Sequence, residues 1–148
     1  MQINELSWIK RQFIHYPNEQ REGYVFTVDN KFLEFRSFEP ICWYDVEIDA
    51  FLKNSGDEVY EYPSVACCIC GYVDCDSVRA FVEFKDDYVI WTLFILHECK
   101  EKESIKDSQI EKYTFPKEQY CQVINTLKNS VEKDKLERHQ KKENEYGK

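Results

Sequence analysis

The chain has 148 residues, 43% of them hydrophobic and 16% aromatic, with only four glycines and four prolines. That composition excludes a disordered or low-complexity polypeptide, which lacks apolar material to bury, and the length suits one domain that buries roughly two-thirds of its unfolded surface. A formal net charge of −8 with a pI near 5.0 disfavours nucleic acid and anionic membranes as partners and favours a basic protein.

No apolar stretch reaches the roughly 20 residues of a membrane-spanning helix. The opening Met1-Gln2-Ile3-Asn4-Glu5 lacks the basic-then-apolar layout of a secretory signal, so a cytoplasmic protein is expected. The cysteines number seven, an odd count that argues for reduced thiols over a secreted disulfide framework.

In chain order, Ile3, Leu6, Ile9 and Phe13 recur every three to four positions, which predicts a short amphipathic helix from Ile3 to Ile14, ended by Pro17. The β-prone runs 24–28 and 32–36 flank Asp29-Asn30-Lys31, residues that tolerate positive φ, and predict a hairpin. Asp45 is placed to cap a short helix with Ile48, Phe51 and Leu52 on one face and Ser55-Gly56 as its stop. After a run from Val65 to Ile69 and a cysteine-rich loop come two strong strand candidates. These are Val78 to Phe84 and Tyr88 to His97, joined at Lys85-Asp86-Asp87; the second is apolar on both faces and is taken as the middle of the core.

Lys100 to Lys112 is charged and reads as a solvated connection. From Pro116 a helix is expected, with Tyr120, Val123, Ile124, Leu127 and Val131 repeating at helical spacing toward the sheet. Past Val131 only Leu136 is apolar, so 1–131 is expected to form a single domain and 132–148 a charged, helical-to-frayed tail. The expected class is α+β, a central antiparallel sheet packed by a C-terminal amphipathic helix and one or two short helices. Its core is expected to hold Val82, Phe84, Trp91, Phe94, Leu96, Val123, Ile124 and Leu127.

Chemistry is sparse. Cys67, Cys68, Cys70 and Cys75 cluster, and Cys67 with Cys70 has the spacing of zinc sites and redox dithiols. However, His97 and Cys99 make an unusual second ligand pair, and no helix follows that would activate a thiol. Buried, metal-free thiols are expected, with no cofactor. His15, His97 and His139 are far apart, and no phosphate loop, dinucleotide fingerprint, nucleophile elbow or zincin motif is present, so no catalytic residue is assigned and an enzyme is not expected.

The strongest binding signal is an acidic stretch interleaved with aromatics. Asp45, Glu47, Asp49, Asp57, Glu58, Glu61, Asp74 and Asp76 alternate with Trp43, Tyr44, Tyr60, Tyr62 and Tyr72. Rings supply anchoring area and carboxylates steer and pair with Arg or Lys, as an interface to a basic protein requires. The expected partner-binding set is Trp43, Tyr44, Asp45, Glu47, Asp49, Glu58, Tyr60, Glu61, Tyr72, Asp74 and Asp76. The competing reading is an ordinary acidic surface whose rings belong to the core.

Three blocks, Cys68-Ile69-Cys70-Gly71 with Cys75, Tyr88-Val89-Ile90-Trp91-Thr92-Leu93-Phe94, and Tyr113-Thr114-Phe115-Pro116-Lys117-Glu118-Gln119-Tyr120, resemble small uncharacterised bacterial proteins with a Cys-x-Cys-Gly loop before a strand hairpin. Small size, acidity and the charged tail also resemble the immunity proteins of contact-dependent growth-inhibition toxins. That resemblance implies a protein that binds and neutralises a cognate toxin C-terminal domain, often a basic nuclease. It transfers no binding residue, because such proteins diverge with their toxins. The alternative is a small zinc- or thiol-dependent regulatory module.

Overall fold

The computed structural model describes residues 2–15, 19–33, 38–39, 48–57, 62–68, 77–96 and 109–146. They form an α+β fold of two antiparallel sheets and one long helix. The first sheet has the order β1 (Leu6–His15), β2 (Glu19–Val28), β3 (Lys31–Phe32). The second is a meander of β4 (Phe38–Glu39), β5 (Ser64–Cys68), β6 (Ser77–Phe84), β7 (Tyr88–Leu96) and β8 (Gln109–Pro116). A 3-10 turn spans Ile48–Leu52, and helix α1 runs from Lys117 to Tyr146.

The N-terminal segment corrects the sequence expectation: it is a strand, not a helix. β1 pairs with β2 along its whole length, from Leu6 opposite Val28 to His15 opposite Glu19. The decisive period is two. Leu6 is fully buried and Trp8 packs against the core, whereas Ile9, which gave the run its helical look, is 39% exposed. Ten residues of cross-strand pairing outweigh a weak propensity signal.

The hairpin expected next is present, with a shorter second strand. Asp29 and Asn30 both take positive φ, 54° and 65°, and Val28 pairs with Lys31, so the turn holds two residues and Lys31 already belongs to β3. Residues 34–37 lie outside the described set. The helix expected after Asp45 is reduced to the 3-10 turn, which still places Ile48 and Phe51 in the core with Leu52 packed against it; Asp45 itself lies outside the described residues.

The β6–β7 hairpin forms with its turn at residues 85–87, from Ser77 opposite Leu96 to Phe84 opposite Val89. Val82, Trp91, Ile124 and Leu127 are fully buried, as expected. Phe84, Phe94 and Val123 are only half-buried, and the Leu96 side chain lies outside the described residues. Phe94 differs because alternation along β7 sends Val89, Trp91 and Leu93 to the core and Ile90, Thr92 and Phe94 to the opposite face. Ile48, Phe51, Leu6, Phe26 and Val28 take up the core space instead.

A second correction concerns the charged connection. Its last residues, Gln109 to Lys112, begin β8, which pairs with β7 from Phe94↔Gln109 to Tyr88↔Pro116, with a register shift between Leu93 and Phe94. An edge strand whose first four residues are exposed leaves no apolar alternation to read. Pro116 closes this strand, and the helix starts one residue later; an edge position suits proline, which has no N–H to donate.

Helix α1 buries Tyr120, Ile124, Leu127 and Val131 on one face. A second row, spaced by four, carries polar anchors to the first sheet. Trp8 Nε1 donates to Thr126 Oγ1 at 3.0 Å, Tyr24 Oη lies 3.2 Å from Ser130 Oγ, and Asp134 accepts from Tyr24 Oη while pairing with Lys10 Nζ at 2.8 Å. The helix continues unbroken to Tyr146, with Leu136 64% exposed.

The centre of the core is Trp91. Its ring meets those of Phe26, Phe51, Phe115 and Tyr120 at centroid distances of 5.2, 5.4, 5.1 and 5.8 Å. Its Nε1 donates to Tyr120 Oη at 2.9 Å, and that hydroxyl donates to the Phe51 carbonyl at 2.6 Å. Trp91→Ala is expected to cost about 3–5 kcal/mol in a denaturant titration, because it opens a cavity and strips the buried Tyr120 hydroxyl of its donor.

Burial, reinforced by the hydrogen bond to Asp134, pushes the Tyr24 phenol up to about 12. The unfolded chain then releases this proton first, so stability holds up to pH 10 and declines as pH rises through about 12. Tyr24→Phe is expected to give a shallower alkaline decline in thermal melts; an unchanged slope would show that Tyr24 is not linked to folding.

Candidate partner-binding surface

Of the eleven residues expected to bind a partner, Asp49 lies within the described structure. Trp43, Tyr44, Asp45, Glu47, Glu58, Tyr60, Glu61, Tyr72, Asp74 and Asp76 lie outside the described residues. Asp49 is set by its neighbours. Ile48, Ala50 and Phe51 turn into the core, which leaves the Asp49 side chain 54% exposed on a short turn. It pairs with Lys128 of α1 at 2.7 Å, and that contact holds the ammonium above its ordinary pKa.

Two other members of the acidic-aromatic stretch are described. Asp57 is exposed. Tyr62 is half-buried, and its ring packs edge-on against Phe81 at 5.2 Å while its carbonyl accepts from Arg79 Nη1 at 2.8 Å. Burial, with a smaller contribution from Asp57, raises the Tyr62 phenol. This ring packs against β6 outside the hydrophobic core.

Cys67 and Cys68 are the last residues of β5, opposite Glu39 and Phe38 of β4, within the run expected from Val65 to Ile69. Cys70, Cys75, His97 and Cys99 lie outside the described residues, while His15 ends β1 and His139 lies within α1. Among the described residues, no three His, Cys, Asp or Glu side chains are grouped to hold a metal, and Cys121 is a half-buried free thiol. No helix among the described residues is long and apolar enough to cross a membrane.

A feature not anticipated from sequence lies where the two sheets meet. Asn4 is 7% exposed and joins three segments. Its backbone N–H donates to the Thr114 carbonyl at 2.7 Å, its Oδ1 accepts from Thr114 N–H at 3.0 Å, and its Nδ2 donates to Asp29 Oδ2 at 2.7 Å. Glu5 N–H donates to Asp29 Oδ1 at 2.8 Å, and Asp29 N–H returns to the Glu5 carbonyl at 2.9 Å. The Asn4 bond, then the Glu5 backbone, hold the Asp29 carboxyl below its ordinary pKa.

Beside this clamp a groove of about 330 Å³ opens between β3 and β8, lined by Val28, Asp29, Lys31, Phe32, Leu33, Glu111, Lys112 and Tyr113 with Gln2 and Asn4. The only sequence signal for it was the Asp29-Asn30 turn; a polar residue near the N-terminus carries no pattern that reveals a distant partner. Comparison with protein-family models, curated proteins and solved structures finds no match to this chain.

Asn4→Ala is expected to cost about 1–3 kcal/mol in chemical denaturation, because the part-buried Thr114 N–H loses its acceptor and the Asp29 carboxylate loses its amide donor. The same change should flatten the acid limb. The lowered Asp29 pKa contributes stability above the ordinary carboxylate range and loses it as pH falls, and Asn4 is its principal cause.

Proposed function

We propose that this chain is an immunity protein, a non-catalytic acidic domain that binds and neutralises a cognate, basic, nuclease-like toxin domain in the cytoplasm. The observation that carries the reading is the net charge of −8 in a chain whose aromatic-acidic stretch presents Asp49 from a turn fixed by three buried neighbours. A carboxylate held by buried neighbours and by its ion pair with Lys128 would exchange that ammonium for a partner's cation with little further loss of side-chain entropy. The surplus of acid over base steers a basic partner over about 8 Å at physiological ionic strength.

Association with the toxin domain encoded beside the gene is expected to slow roughly tenfold or more as salt rises from low to physiological levels, while dissociation changes less. In stopped-flow mixing, Asp49→Lys, Asp74→Lys and Asp76→Lys should lower the on-rate, and Tyr72→Ala should mainly raise the off-rate. Cells carrying these variants should lose protection against the toxin at unchanged levels of folded protein. No affinity for the neighbouring toxin domain, or association indifferent to salt and charge reversal, would sink the reading.

A further inference from the structure

We propose that helix α1 from Glu132 onward is a conformational switch whose latch is Asp134. In the docked state the Asp134 carboxylate holds this part of the helix on the first sheet, and in the released state it leaves that sheet while the core stays folded. The device uses no residue of the acidic-aromatic stretch and goes beyond the toxin-binding reading.

Apolar burial along α1 stops at Val131, and Glu132, Lys133, Lys135, Leu136 and Glu137 are all exposed. Asp134 is the exception, with a side chain only 12% exposed. Among the described residues it is also the last of α1 whose side chain bonds to another element, although the helix continues to Tyr146. A helical overhang without tertiary contact is marginal in water, because most helical stability in a protein comes from a packed face. The pair Lys133 and Glu137, four residues apart, adds little and runs in the less favourable order.

The latch draws on two strands. Lys10 of β1 and Tyr24 of β2 are directly opposite each other, and both reach one oxygen of Asp134: Lys10 Nζ lies 2.8 Å from Oδ2, and Tyr24 Oη donates to it. Charge-assisted bonds of this kind are roughly twice as strong as neutral ones. Ser130, one helical turn earlier, meets the same phenol at 3.2 Å, and Trp8 packs edge-on against the Tyr24 ring at 5.5 Å. Release therefore orphans neither partner of Asp134, since Lys10 is exposed to water and Tyr24 Oη keeps Ser130. The two parts of α1 are held by different forces. Tyr120, Ile124, Leu127 and Val131 are buried in the core, whereas the next turn is held through a carboxylate, so loss of that charge acts on it without opening the core.

The test is native-state amide exchange on the isotopically labelled full chain. Asp134→Ala is expected to speed exchange of the amides of residues 132–140 about tenfold, equivalent to about 1.4 kcal/mol, while those of Tyr120, Ile124 and Leu127 change by less than about twofold. Asp134→Asn keeps an acceptor for Tyr24 but loses the ion pair, and its exchange should fall between the two. Lys135→Ala, at an exposed neighbour, should leave exchange as it is. The Tyr24 phenol gives a second readout. Followed on labelled tyrosine rings, its titration should move down from about 12 in Asp134→Ala, because the bond to Asp134 is, after burial, what raises it. Unchanged exchange at 132–140, or an unchanged phenol, would overturn the proposal. Equal acceleration at Tyr120, Ile124 and Leu127 would do so as well, by making Asp134 a support of the whole fold. Lys10→Ala repeats the test with every buried side chain in place: faster exchange confined to 132–140 supports the latch, and no change there counts against it. The assay needs no toxin, so its failure leaves the toxin-binding experiment to be judged separately.

Discussion

Everything else in this fold is arranged around the hydrogen-bond relay from Trp91 through Tyr120 to the Phe51 carbonyl. An indole N–H and a phenol enclosed in an apolar core each need a partner, and an orphaned one costs about 1–3 kcal/mol. Here they satisfy each other in series, and the chain of bonds ends on the backbone of the 3-10 turn. The relay fixes β7, α1 and that turn relative to one another, three elements separated by dozens of residues. The rings of Phe26 and Phe115 close around the same indole, which brings β2 and β8 into the arrangement. Among the described residues no buried side-chain nitrogen or oxygen lacks a hydrogen-bond partner.

The two sheets are joined by different chemistry at their two margins. On one side α1 carries Thr126, Ser130 and Asp134 at intervals of four, one polar contact per helical turn, to Trp8, Tyr24 and Lys10. On the other, Asn4 links Asp29 of the first sheet's hairpin turn to Thr114 of β8. Gln119 adds a third link by accepting from Leu6 N–H at 3.3 Å and donating to the Leu6 carbonyl at 2.6 Å. Burial between the sheets supplies the driving force, and these directional bonds fix the relative placement of the layers, because hydrophobic contact alone is indifferent to register.

This division of labour bears on binding. The acidic charge is a property of the whole sequence, whereas the Asp49 side chain is placed by buried neighbours and that of Asp29 by the Asn4 clamp. The half-buried Tyr62 shows the opposite case, an aromatic within an acidic stretch whose ring is committed to Phe81.

The sequence alone determined the parts of the fold written as local periodicity. The β6–β7 hairpin follows from alternating and near-continuous apolar runs, the buried face of α1 from the spacing of Tyr120, Ile124, Leu127 and Val131, and the positive-φ turn from Asp29-Asn30. Only the tertiary structure decided that residues 6–15 pair as a strand and that Gln109–Pro116 forms an edge. The apolar positions of residues 6–15 fit a helical period as well as that of a strand, those at the start of β8 are sparse, and the cross-strand bonds that stabilise both come from other segments. The polar row Thr126, Ser130, Asp134 is in sequence indistinguishable from a solvated helix face, and Asn4 from an ordinary terminal residue. Hydrophobic burial leaves a repeat along the chain because one face of each element must meet the core. A hydrogen bond between residues more than a hundred positions apart leaves none, since its geometry exists only once both elements are in place.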